Sequence, residues 1–144
     1  MNKTYRVGIV HDTSRPGLGG HGTHLAFQGL SGVETVALAD TNPEGISERL
    51  AQTGARRHYL SWEKMLDQER PDIVTVCSRL PDDHFPVIRA AVSRGCHIYC
   101  EKPLCATLTE ADQIVALAKR HRVKVAVAHL GRHALVFRTM REMI

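Results

Sequence analysis

Short runs of β-branched and other apolar residues alternate along the chain with longer stretches in which apolar side chains recur every three or four positions. The runs at residues 5–10, 33–39, 72–77, 97–100 and 123–128 read as strands, with a weaker one at 57–60. Helical spacing occupies residues 22–30, 43–53, 61–68, 83–94, 109–121 and 134 to the C-terminus. Strands alternating with helices are the pattern of a parallel sheet with crossover helices, so the expected class is α/β, a doubly wound parallel sheet.

Local punctuation agrees with these boundaries. Pro43 suits a first helical turn with Asn42 as N-cap, and Gly54 and Gly95 stand where helices would end in a left-handed residue. Thr107 with Glu110, and Thr109 with Asp112, each fit a capping box. Val87, Ile88, Ala91 and Val92 share one helical face, as do Ile114, Val115 and Ala118. With no internal repeat, linker or low-complexity tract, residues 1–144 read as one domain.

Composition narrows the class. At 144 residues, 43% hydrophobic and 24% charged, the chain can bury one core and is too apolar for intrinsic disorder. Charged residues interrupt every apolar run before the roughly 18 residues of a membrane span. Met1-Asn2-Lys3-Thr4-Tyr5-Arg6 passes straight into a strand, without the apolar core of a signal peptide, so a cytoplasmic location is expected. The four cysteines, Cys77, Cys96, Cys100 and Cys105, form no Cys-x-x-Cys and read as reduced, buried thiols. The net charge of +4 is uneven: 12 Lys and Arg stand against 14 Asp and Glu over residues 1–118, and 7 against 1 over residues 119–144. That basic end interleaves with the apolar strand at 123–127, which argues against nucleic acid as a partner.

In a doubly wound sheet, ligands bind beyond the carboxyl ends of the strands, which directs attention to residues 11–21, 40–42, 78–83, 101–105 and 129–133. The first loop holds Gly17-Leu-Gly19-Gly20-His21-Gly22 just before a helical segment. Glycines there let the backbone approach a pyrophosphate, and free amides at a helix start supply donors. A merely flexible loop would also be rich in glycine. Asp40, ending the second strand 18 residues after Gly22, is what a ribose diol needs as acceptor and would repel a 2′-phosphate, which favours NAD over NADP. Alone, the same aspartate would be read as the start of a turn through Thr41 and Asn42. His11, Asp12, His21 and His24 invite a metal reading, but the dinucleotide loop competes for the same residues and no metal site is expected.

The remaining loops bring a resemblance into focus. Residues 72–78 with His84 following, Glu101-Lys102-Pro103-Leu104 after the fifth strand, and His129-Leu-Gly-Arg132 after the sixth look like the nucleotide-binding half of the Gfo/Idh/MocA oxidoreductases. The resemblance covers essentially the whole chain and implies a Rossmann-type, NAD(P)-dependent dehydrogenase. Such an enzyme moves a hydride between the nicotinamide and a hydroxyl-bearing carbon of a sugar, inositol or related polyol. By this similarity Lys102 is the catalytic residue, its ammonium bonding the reacting oxygen. Glu101 positions Lys102 and the nicotinamide ribose, Pro103 turns the chain through a bond often cis in the family, and His129 and Arg132 lie near the cofactor or substrate mouth. Ser78 replaces the family's threonine, Arg79 brings an additional cation to the cofactor path, and His84 matches a family position.

Two departures stand out. His11 occupies the place of the family's first glycine, and an extension through Arg15 and Pro16 precedes the glycine motif. The family also continues into a second domain that supplies a catalytic Asp and His, binds the small-molecule sugar or polyol and forms the homo-oligomer, whereas this sequence stops at Ile144. The expectation is a fragment that binds cofactor and turns over substrate poorly by itself. A stand-alone, non-catalytic NAD sensor is the alternative. A signalling receiver domain would need an acidic pair after the first strand and an Asp after the third, which this chain lacks.

Overall fold

The computed structural model describes residues 3–14 and 21–143. Six parallel strands, β1 (Tyr5–Val10), β2 (Val33–Ala39), β3 (Arg57–Tyr59), β4 (Ile73–Val76), β5 (His97–Cys100) and β6 (Val125–Val127), form one sheet in the order β3-β2-β1-β4-β5-β6. Winding proceeds outward from β1 in one direction to β3, then restarts at β4 and proceeds in the other. The reversal between β1 and β4 opens a crevice at the carboxyl edge of the sheet.

Right-handed crossovers assign the helices to faces. Helices α2 (Trp62–Glu69), α3 (His84–Ser93) and α4 (Leu108–His121) cover one face, burying Met65, Leu66, Val87, Ile88, Ala91, Val92 and Ile114 against Val36, Val74, Val76 and Ile98. Helix α1 (Ile46–Thr53) and Phe27 cover the other, over Val7, Ile9, Leu38 and Cys77. Gly8 lets α2 come close: a Cβ there would sit 3.0 Å from Met65 Cε and 3.2 Å from Pro71 Cγ. Two short helices, α5 (Leu130–His133) and α6 (Leu135–Glu142), follow β6. The extended backbone of Ala134 divides the single helix expected from residue 134. Among the described residues, no helix is long and apolar enough to cross a membrane.

Several local expectations hold. Thr107 and Glu110 form the reciprocal capping box of α4, and Gly54 and Gly95 adopt left-handed backbones. Three differ. The segment at 22–30 makes only one 3₁₀ turn, Thr23–Leu25, and its later bonds also span three residues. Thr23 and His24 are drawn into tertiary contacts described below, and Gly29 turns left-handed at φ 73°, so no α-helix propagates. Helix α1 begins at Ile46 rather than Pro43: Asn42 Oδ1 accepts from the Glu44 N–H, a turn that precedes the helix instead of capping it. Val115 is 50% exposed although it neighbours buried Ile114, because β6 ends the sheet and leaves that flank of α4 open.

Candidate functional site

The carboxyl edge carries two concavities, one astride the winding reversal and one beyond it towards β6. The first, about 250 Å³, is lined by the ends of β1, β2 and β4 (Val10, Ala39, Asp40, Val76, Ser78), by Leu60 and Trp62 after β3, and by Pro86 and Val87 of α3. Its walls are mainly apolar, and the carboxylates Asp12, Asp40, Asp82 and Asp83 stand around it. The second is an open cleft of about 700 Å³ at the ends of β5 and β6, lined by His21, Glu101, Lys102, Ala128, His129, Gly131 and Arg132. A narrow apolar slot at the switch point beside a wider, open cleft ringed by charged and histidine side chains suits an extended ligand with one apolar end.

The Gly22 turn adjoins the wide cleft, between His21, which lines it, and Thr23, which bonds Glu101. Gly22 has φ 83°, a left-handed conformation that other residues rarely adopt, and the space where a Cβ would project is open. Gly17, Gly19 and Gly20 lie outside the described residues.

The turn is tied to the end of β5 through Glu101, which is 1% exposed. The Thr23 hydroxyl donates to one oxygen of this carboxylate, and the other accepts from the Lys102 N–H at 3.0 Å and lies 3.1 Å from His21 Nδ1. Burial works against the charged form of Glu101, but the hydrogen bonds from Thr23, His21 and the Lys102 amide outweigh it and hold the carboxyl below its ordinary range. The carboxylate therefore joins the first loop to the Glu-Lys-Pro segment. Lys102 itself is exposed at the cleft, and the Lys102–Pro103 peptide is cis.

Asp40 is equally committed. Oδ1 accepts from the amides of Thr13 at 3.0 Å and Asn42 at 2.9 Å. Oδ2 accepts from the Thr13 hydroxyl at 2.8 Å and lies 3.0 Å from Arg49 Nε, with the carboxylate side chain fully buried. The other guanidinium nitrogens of Arg49 donate to the carbonyls of Glu44 at 2.6 Å and Asn42 at 2.5 Å.

Of the residues singled out in the sequence, His21, Glu101, Lys102, His129 and Arg132 meet at the wide cleft, and Asp40 and Ser78 at the slot. His84 and Arg79 line neither. His84 is fully buried beneath the edge, its Nε2 2.7 Å from the Ser78 carbonyl and its Nδ1 3.2 Å from that of Leu104, so it ties together the loops after β4 and β5. Arg79 is exposed. Thr13, Thr23, Leu60 and Trp62 escaped the sequence reading. The signal for Leu60 and Trp62 was their position directly after the weak third strand, a strand-end loop omitted from the search. Among the described residues no group of three or more His, Cys, Asp or Glu is placed to hold a metal ion.

Comparison with known proteins identifies the family of the domain. Residues 16–129 match the family model described as "Oxidoreductase family, NAD-binding Rossmann fold", that of Gfo/Idh/MocA. The chain belongs to the Gfo/Idh/MocA oxidoreductases. Within that family it is 31% identical over 114 residues to 1,5-anhydro-D-fructose reductase of Ensifer adhaerens, covering 79% of this chain and 34% of the relative. It is 24% identical over 142 residues to myo-inositol 2-dehydrogenase of Thermotoga maritima, covering 96% of this chain and 40% of that enzyme. The solved scyllo-inositol dehydrogenase of Lactobacillus casei with bound NAD(H) and scyllo-inositol superposes with a TM-score of 0.82 over 98% of this chain and 41% of that one, at 20% identity, a likeness of fold. The chain thus spans between about a third and two fifths of the length of these Gfo/Idh/MocA members.

Proposed function

We propose that residues 1–144 act as the dinucleotide-binding domain of an NAD-dependent dehydrogenase or reductase whose substrate is a sugar, inositol or related polyol. The observation that carries this reading is the pair of pockets at the carboxyl edge, one astride the winding reversal, with the left-handed Gly22 turn following His21 of the second. In this reading the slot of Trp62, Leu60 and Val87 takes the adenine, and Asp40 serves the adenosine ribose. The backbone of Gly22, preceded by Gly17, Gly19 and Gly20, faces the pyrophosphate, and the cleft of His21, Glu101, Lys102, His129 and Arg132 takes the nicotinamide end. Ser78 and Arg79 border the path between, while Pro103 and His84 shape the loops from below. The substrate class is supported by the sugar and inositol relatives.

Bound there, NAD supplies the site that gives or accepts hydride. The chain's own contribution is the exposed Lys102 ammonium at the cleft, a donor for an oxygen whose charge changes as the adjacent carbon is oxidised or reduced. Glu101 fixes the backbone that carries it by accepting the Lys102 amide. Two features favour NAD over NADP. Four carboxylates surround the slot, and the guanidinium of Arg49 is engaged with Asp40 and two backbone carbonyls rather than presented to a 2′-phosphate.

Trp62 is the chain's single tryptophan, so its fluorescence reports on the slot. Titration with NADH is expected to quench it saturably, NADPH more weakly, and Asp40→Ala is expected to erase the difference. Folded protein that responds to neither cofactor would refute the reading.

A further inference from the structure

We propose that Thr13 is a built-in competitor for the ribose acceptor, a residue that sets dinucleotide affinity by occupying Asp40 when no cofactor is bound; this rests on the NAD site proposed above. A ribose diol recognised by a carboxylate presents two donors, one to each oxygen. Thr13 presents the same pair: its N–H donates to Oδ1 at 3.0 Å and its hydroxyl to Oδ2 at 2.8 Å. An ionised carboxylate has about four acceptor positions; the Asn42 amide takes a third, and Arg49 Nε lies 3.0 Å from Oδ2 as an ion pair without a hydrogen bond. An incoming ribose diol, which needs an acceptor on each oxygen, meets both oxygens already engaged by Thr13.

The three residues are not equivalent. Asn42 and Arg49 follow Asp40 closely in sequence and hold its carboxylate in place from its own loop and helix. Thr13 reaches it across 27 residues, from the loop after β1. The segment around it is fastened to the same loop, with the Thr41 hydroxyl donating to Asp12 Oδ1 at 2.8 Å and Asn42 Nδ2 donating to Thr13 Oγ1 at 3.2 Å. Ribose therefore gains Asp40 by replacing Thr13, donor for donor, while Asn42 and Arg49 keep the acceptor oriented. Only a ribose with free hydroxyls can make that exchange, because a 2′-phosphate brings no donor at neutral pH. The threonine thus strengthens the discrimination already favoured by the carboxylate.

The test is the affinity of NADH and of ADP-ribose for wild type, Thr13→Ala and Thr13→Ser, read by Trp62 quenching and by calorimetry. Removing the hydroxyl is expected to tighten both ligands roughly tenfold, the equivalent of one hydrogen bond to a charged acceptor. Thr13→Ser, which keeps that donor, is expected to restore wild-type affinity. Thr13→Ala protein that binds NADH as wild type does, or more weakly, would overturn the competition while leaving the NAD site standing. Failure of all three folded proteins to bind NADH would overturn the site itself and the inference with it.

Discussion

The imidazoles of His11 and His24 stack 4.7 Å apart with their planes 19° from parallel, directly behind the end of β1. His11 is 5% exposed and neither of its ring nitrogens has a hydrogen-bond partner among the described residues. Burial, followed by the nearby His24, lowers its pKa from 6.5 to about 4, against the opposing pull of Asp40 and Asp12 and with a further push from Arg49. The folded state therefore keeps His11 neutral where the unfolded chain protonates it. The resulting stability is present above pH 6.5 and is lost as the pH falls towards 4, by about 3 kcal/mol over that interval. Urea midpoints at pH 7.5 and 4.5 check this: His11→Gln is expected to flatten the decline. An equal decline in the variant would show that His11 is not its source.

Glu101 titrates in a lower window. Its carboxyl lies below the ordinary 4.5, so its contribution is intact above that pH and is lost as the pH falls through the depressed value. Glu101→Gln sets an amide among three donors, from Thr23, His21 and the Lys102 backbone. The variant is expected to lose about 1–3 kcal/mol of stability at pH 7 and to bind NADH several-fold more weakly, because the Gly22 turn is no longer tied to β5. Denaturant unfolding and NADH titration of the same protein measure both.

His84 and Glu69 make a matched pair. Glu69, 4% exposed at its side chain, accepts from Tyr59 Oη at 2.6 Å, Arg57 Nη1 at 2.8 Å and Arg6 Nη2 at 3.1 Å, away from both pockets. Its removal in Glu69→Ala is expected to cost about 1–3 kcal/mol with NADH affinity unchanged. His84→Ala is expected to cost about 2–4 kcal/mol and also to weaken NADH, since both functional loops hang on that ring. Equal NADH affinity in the two variants would assign His84 a purely structural role.

The thiols differ in accessibility. Cys77 and Cys100 are fully buried and Cys96 is 2% exposed, whereas Cys105 is partly exposed. Burial pushes Cys96 up to about 11 and Cys100 up to about 12, and raises Cys77 well above its usual range. An Ellman titration of native protein is expected to show one fast thiol, abolished by Cys105→Ser, and all four cysteines in denaturant. Several fast thiols would contradict the packing beneath β4 and β5.

By itself the sequence determined what local patterning controls. β1, β2 and β5 fall at the bounds read from their runs of β-branched and apolar residues, each of which carries buried side chains of the core. The capping box of α4 and the left-handed glycines are likewise set by side chains within a turn of one another. The Glu-Lys-Pro segment and the family were legible because their residues are contiguous. Tertiary structure alone decided the rest. The segment at 22–30 had helical spacing but gave up the α-helix to the pull of Glu101 on Thr23 and of His11 on His24. Asp40 was recognisable as an acceptor, but its occupation by Thr13 was not, since that bond joins residues 27 positions apart. Hydrophobic periodicity records which face of an element is buried. It carries no information about which polar partner a buried carboxylate will find across the sheet, and at this edge those partners decide what the site can accept.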